Sequence, residues 1–130
     1  MAVINVDGSC YQHRCHAGWA VEVKGYTGTY TKSGALLTSS PLVAEEVALY
    51  QGYAEALKIP DQKITIHSDC KGLVDKLRKY HHTEQDLFLK DIVELQKAGE
   101  ALGKTIRLLW LRRTKIGCVH HLAKEQAKKR

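Results

Sequence analysis

The chain has 130 residues, 44% of them hydrophobic and 26% charged, with 20 lysines and arginines against 14 acidic residues and a formal net charge of +6. That length and mix fit one soluble globular domain, residues 1–130, with a core that needs no disulfide staples. No apolar run reaches the roughly 18–20 residues of a membrane span, and the start lacks a signal peptide's basic end and apolar core, so the expected location is the cytoplasm. The positive balance favours a polyanionic partner, nucleic acid first, although a lysine-rich solvated surface gives the same charge.

Ala2 to Asp7 reads as a strand ending in a carboxylate, a glycine and a hydroxyl, Asp7-Gly8-Ser9. Gly8 to His16 is polar and irregular, a loop. Ala17 to Lys24 reads as a second strand, with Gly25 in the turn. Tyr26 to Ala35 alternates and is rich in Thr and Tyr, so it pairs as an antiparallel third strand. The period then changes. Ser40 is a candidate N-cap and Pro41 suits the first helical position. The helix runs to about Leu57, with Val43, Val47, Ala54 and Leu57 on its apolar face, Ala44, Ala48 and Gly52 beside it, and Pro60 ending the segment.

Lys63 to His67 is a fourth strand leading into Ser68-Asp69. Cys70 to Tyr80 is a helix with Leu73, Val74 and Leu77 inward. Thr83 and Asp86 form a capping-box pattern for a third helix, with Phe88, Ile92, Leu95 and Leu102 along one face and Gly103 as its C′ residue. Thr105 to Leu111 is a fifth strand, almost continuously apolar from Ile106 apart from Arg107, as a well-buried strand would be. A last helix starts near Ile116 and turns Val119, Leu122, Ala123 and Ala127 inward. Trp19 and Trp110 sit on apolar strands and are expected in the core. The order β-β-β-α-β-α-α-β-α implies a mixed sheet with helices on its faces, an α/β fold.

Cys10, Cys15, Cys70 and Cys118 form no C-x-x-C pair and are expected as reduced thiols. Cys10, His13, Cys15 and His16 come nearest to a metal spacing but match no standard finger. The carboxylates are more informative. Asp7 ends the first strand and Asp69 follows the fourth. If those strands are parallel neighbours, both acids project from one edge of the sheet, where open α/β sheets bind ligands. Glu45, in the first turn of a helix packed on that sheet, can lean over the same edge. Its neighbour Glu46 points about 100° away. Three converging acids would not ionise together without a cation, and oxygen ligands suit Mg²⁺ or Mn²⁺. Two such ions about 3.5–4 Å apart would support phosphodiester hydrolysis. The alternative is a solvated helix glutamate and two capping aspartates.

Together these residues resemble a known family. Val6-Asp7-Gly8-Ser9, Ala44-Glu45 followed by Ala48, and Ile66-His67-Ser68-Asp69 match the first three acidic motifs of type 1 ribonuclease H, in order and over the whole chain. The stretch Ser39 to Glu45, and the ending from Trp110-Leu111-Arg112-Arg113 through His120-His121-Leu122-Ala123, are similar to its compact plant and prokaryotic branch. The resemblance implies a ribonuclease H-like fold, a five-stranded mixed sheet in order 3-2-1-4-5 flanked by helices. It implies hydrolysis of the RNA strand of RNA–DNA hybrids with two divalent ions, Mg²⁺ or Mn²⁺. Asp7 would bridge the ions, and Glu45 and Asp69 would each complete one shell.

The chain departs from the family in three places. The family's last acidic motif carries an Asp where this chain has His120, and imidazole is a poor Mg²⁺ ligand. His120 would be a weak fourth ligand or an aid to product release. On the final helix it shares a side with Ile116, Ala123 and Ala127, so it should reach the cleft, leaving His121 exposed. The asparagine pair before the helical Glu is here Pro41-Leu42, and the long basic insertion and histidine loop of the bacterial enzymes are absent. Hybrid affinity would come from Ser9 and Cys10 in the loop after Asp7 and from Lys71, Lys76, Arg78, Lys79, Arg112, Arg113 and Lys115. The expected protein is a monomeric enzyme. Its rivals are an attenuated nucleic-acid-binding module and a domain derived from a reverse transcriptase or transposon.

Overall fold

In a computed structural model describing residues 1–79, 87–115 and 118–128, the chain forms one five-stranded sheet flanked by helices. The strands are β1 (Ala2–Tyr11), β2 (His16–Gly25), β3 (Gly28–Leu37), β4 (Lys63–Ser68) and β5 (Thr105–Trp110). The helices are α1 (Pro41–Lys58), α2 (Lys71–Arg78), α3 (Leu87–Ala101) and α4 (Val119–Lys128), with short 3₁₀ turns at Gln12–Arg14 and Arg113–Lys115. The sheet order is β3-β2-β1-β4-β5, as the resemblance implies. β1, β2 and β3 form an antiparallel meander, and β4 and β5 continue it in parallel from β1.

Alternation along β1 divides its side chains between two layers. Ile4 and Val6 lie under α1, where Gly52 lets the helix approach closely: a Cβ at Gly52 would sit 2.6 Å from Val6 Cγ1. This layer holds most of the core, including Val21, Val23, Leu49, Tyr53, Ile64, Ile66, Leu73, Leu89 and Ile92. Asn5 and Asp7 fall on the other face, which α4 covers across β1, β2 and β3. A smaller apolar cluster there joins Ala20 to Val119 and Ala123. Ser40 caps α1 as expected, its Oγ accepting the Val43 N–H at 3.2 Å, with Pro41 at the first position. Gly103 has φ +79°, the left-handed conformation that ends a helix, and closes α3.

Several expectations need correction. β1 does not stop at Asp7 but runs to Tyr11, paired with β2 through Tyr11↔His16, so the loop shrinks to a single 3₁₀ turn. Gly25 pairs with Gly28, which places the β2–β3 turn at Tyr26-Thr27. The face that α1 buries is Ala44, Ala48, Leu49, Gly52, Tyr53 and Ala56, while Val43, Val47, Ala54 and Leu57 are only half-buried. Ala44, Ala48, Gly52 and Ala56 let α1 approach the sheet closely, and Leu49 and Tyr53 add bulk to the core. β5 is an edge strand and only Ile106 is buried on it, because α4 lies over the other half of the sheet. Trp110 at its end is 43% exposed and Leu102 is also exposed. The Thr83–Asp86 capping box, His81-His82, the predicted helix end at Tyr80, the helix start at Ile116 and the side chain of Phe88 lie outside the described residues. No described helix is long and apolar enough to cross a membrane.

Candidate metal centre

The parallel register of β1 and β4 pairs Val6 with Ser68, so the residues that follow, Asp7 and Asp69, leave the same edge of the sheet side by side. α1 brings the third acid. Gly8 has no side chain, and a Cβ there would run into the backbone of Ala44, so the start of α1 rests directly on β1. From that seat Glu45 Oε1 accepts the Gly8 N–H at 3.1 Å. One oxygen each from Asp7, Glu45 and Asp69 lies within 4.8 Å of the others, the one group able to hold a metal ion among the described residues. The Cys10, His13, Cys15 and His16 set forms no such group there.

Each carboxylate is anchored through one oxygen. Asp7 Oδ2 lies 2.9 Å from His120 Nδ1. Asp69 Oδ2 accepts the Arg113 Nε–H at 2.9 Å. The partner oxygens of Asp7 and Glu45, Oδ1 and Oε2, are buried without a hydrogen-bond partner. Buried, orphaned oxygens are costly, and carboxylate oxygens are what a hard cation takes. The electrostatics agree. Burial, with the charge of Asp69, pushes Asp7 up to about 6, against a weaker lowering by His120. Burial and the charges of Asp7 and Asp69 push Glu45 up to about 9. The hydrogen bond to Asp69 raises the Arg113 guanidinium further above its already high value. A cation among these oxygens would supply the charge that their mutual repulsion lacks. The donor set therefore fits Mg²⁺ or Mn²⁺.

A family model described as reverse transcriptase-like matches residues 5–126. The chain belongs to that family, and its fold is the ribonuclease H fold. Solved structures share this architecture at low identity. The N-terminal ribonuclease H domain of a Mycobacterium tuberculosis protein has 22% identity and a TM-score of 0.79, with 97% of this chain and 92% of that one covered. LC11-RNase H1, solved in complex with RNA/DNA hybrid, has 15% identity and a TM-score of 0.78, with 98% and 96% covered. The ribonuclease H1 of the archaeon Halobacterium salinarum has 16% identity and a TM-score of 0.76, with 96% of both chains covered. No curated protein matches by sequence.

Within this ribonuclease H-type domain the other predicted residues divide. His120 faces the cleft from α4 with its side chain 24% exposed, but its ring sits against an Asp7 oxygen and outside the converging ligand group. His121 is exposed, its ring 5.9 Å from that of His120. Glu46 is buried and takes no place in the acidic group. Ser9 and Cys10 lie on the extended part of β1, and the Cys10 thiol donates to the Thr38 carbonyl at 3.5 Å. Lys71 begins α2 and is exposed, as is Arg112. Trp110 was expected in the core, yet its indole N–H donates to the Asp69 carbonyl at 3.1 Å. The signal for it was available: a residue ending a strand parallel to β4 stands beside Ser68-Asp69, and the register pairs Ser68 with Trp110.

Proposed function

We propose that this domain is a divalent-cation-dependent endoribonuclease that hydrolyses the RNA strand of RNA–DNA hybrids. The observation that carries the reading is the convergence of Asp7, Glu45 and Asp69, with buried oxygens that lack a protein partner. The family match and a similarly folded neighbour bound to RNA/DNA hybrid support the substrate class. A bound Mg²⁺ or Mn²⁺ would supply Lewis-acid stabilisation of the charge that develops at the phosphodiester. The chain's own residues do the rest. Asp7, Glu45 and Asp69 would hold the cation, with Gly8, His120 and Arg113 anchoring their carboxylates.

Arg113 binds Asp69 through one N–H and has further donors to offer a phosphate at the same edge. The exposed face of Trp110 offers a ribose or base an apolar surface next to Asp69. Lys71 and Arg112, with Ser9 and Cys10, are the nearest further candidates for backbone contacts, and a 2′-hydroxyl on one strand alone would mark the strand to be cut.

The test is cleavage of a labelled RNA–DNA hybrid in Mg²⁺ and in Mn²⁺, with single-stranded and double-stranded RNA as controls. Selective, cation-dependent cutting of the hybrid's RNA strand is expected, with Asp7→Asn inactive. One observation favours a second reading. His120 brings no negative charge to the place of the family's fourth acid, which suits a nucleic-acid-binding module with attenuated activity. Tight hybrid binding without cleavage in either metal would select it.

A further inference from the structure

The two-ion scheme implied by the family resemblance would have Asp7 bridge the ions, with a fourth carboxylate on the final helix helping to hold the second. This chain has His120 in place of that carboxylate. Asp7 Oδ2 is taken by His120 Nδ1 at 2.9 Å. That ring is held in place, because α4 is seated by Val119, Ala123 and Ala127, all buried. Gly8 anchors Glu45 through Oε1, and Arg113 anchors Asp69 through Oδ2. That leaves one unanchored oxygen per carboxylate. Two of these, Asp7 Oδ1 and Glu45 Oε2, are buried and unpartnered. One oxygen from each of the three carboxylates lies within 4.8 Å of the others, enough for one coordination face that water would complete.

Charge leads to the same count. With all three carboxylates ionised around a bound cation, they and the Arg113 guanidinium sum to −2, which one divalent cation neutralises. A second ion would leave the cleft at +2. In either protonation state the His120 imidazole adds no negative charge to offset it.

We propose that the free protein binds a single divalent cation, through Asp7 Oδ1, Glu45 Oε2 and Asp69, and that His120 excludes a second by occupying Asp7 Oδ2. The inference rests on the cation-dependent reading above but differs from it in what each result means. The test counts Mn²⁺ on the full chain, by the electron paramagnetic resonance of free Mn²⁺ and by calorimetry. The wild type, Asp7→Asn and His120→Asp are compared, with folding checked by circular dichroism.

The expected stoichiometry is one Mn²⁺ per wild-type chain, lost in Asp7→Asn and rising to two spin-coupled ions in His120→Asp. Two coupled Mn²⁺ ions on the wild type would overturn the proposal while leaving the cation-dependent reading standing. A single ion on both the wild type and a folded His120→Asp would overturn the role given to His120. If ¹⁵N-histidine labelling reveals a hyperfine coupling to the bound Mn²⁺, His120 is a ligand and the proposal falls. No Mn²⁺ on the wild type at millimolar concentration would remove the metal reading itself.

Discussion

Replacing Asp7 with asparagine separates the proposed metal-binding role of this carboxylate from its cost to the fold. Asp7 is fully buried beside Glu45 and Asp69, and its pKa rises from 3.8 to about 6 without a cation. A raised acid contributes its full stability below the unfolded pKa, near 3.8, and loses it as pH climbs through the folded value, about 6. Above that window the charged form is disfavoured by about two pKa units, a ceiling of about 3 kcal/mol. Asparagine keeps the shape and sheds the charge. Its carbonyl can accept the His120 Nδ1–H, and its amide supplies donors where Oδ1 now has no partner. In chelator at pH 7.5, Asp7→Asn should therefore be more stable than the wild type by roughly 2 kcal/mol, within that ceiling. The gain should vanish below pH 4. Urea unfolding across pH 3.5–8 reads it as a shifted midpoint with an unchanged m-value. Saturating Mn²⁺ should restore the wild type and leave the variant unmoved. Hybrid cleavage should be lost in both metals. A variant no more stable than the wild type at neutral pH in chelator would refute the reasoning, because the buried carboxylates would then carry no strain for a cation to relieve.

His120→Asp should raise Mg²⁺-dependent initial rates and lower the advantage of Mn²⁺ over Mg²⁺. A folded variant no better in Mg²⁺ at any concentration would mean that His120 does not stand in for a missing acid. Gly8→Ala drives a methyl into the Ala44 backbone and should cost about 1–3 kcal/mol in urea unfolding, with cleavage reduced as Glu45 shifts; unchanged stability would show that α1 is not seated on Gly8. Hybrid binding by Asp7→Asn protein should weaken steeply with salt, and adding Arg112→Ala or Arg113→Ala should each reduce the log–log slope by about one. A flat plot would make the +6 charge a solubility feature alone.

The parts of the fold legible in the sequence rest on local signals. Ser40-Pro41 started α1 because a cap and a proline act within one turn, and Gly103 ended α3 for the same reason. The strand order followed from the resemblance alone, the alternation of elements giving only a mixed sheet with helices on its faces. What was misread depends on partners far along the chain. Gly8 to Tyr11 shows no strand pattern of its own and becomes strand because β2 extends to meet it. The apolar run of β5 looks like a well-buried strand, yet burial is set by where α4 lies, and α4 lies over β1, β2 and β3. Glu55 is buried on α1 because Tyr30, Lys32 and Lys58 converge on its carboxylate. Those bonds outweigh burial, which alone would push it up, and hold it below the ordinary range.

The site divides along the same line. Asp7, Glu45 and Asp69 could be grouped in advance because the ends of neighbouring parallel strands and the first turn of a packed helix must meet at one edge. His120 could be aimed at the cleft because helical spacing sets it beside Ala123 and Ala127, both of which are buried. Residue type and direction do not, however, say which oxygen a neighbour takes. His120 on Oδ2 of Asp7 leaves a different site from His120 coordinating an ion, although the sequence is the same. The anchors on Glu45 and Asp69 come from a backbone N–H and from an arginine whose exposed side chain reads, residue by residue, as an ordinary surface charge. Arg113 illustrates the consequence. Its charge offsets one carboxylate in the cleft, and a phosphate of the proposed hybrid substrate would compete with Asp69 for it. Under the proposed function, the side chain that holds Asp69 still would also be the one placed to meet the phosphate of the substrate.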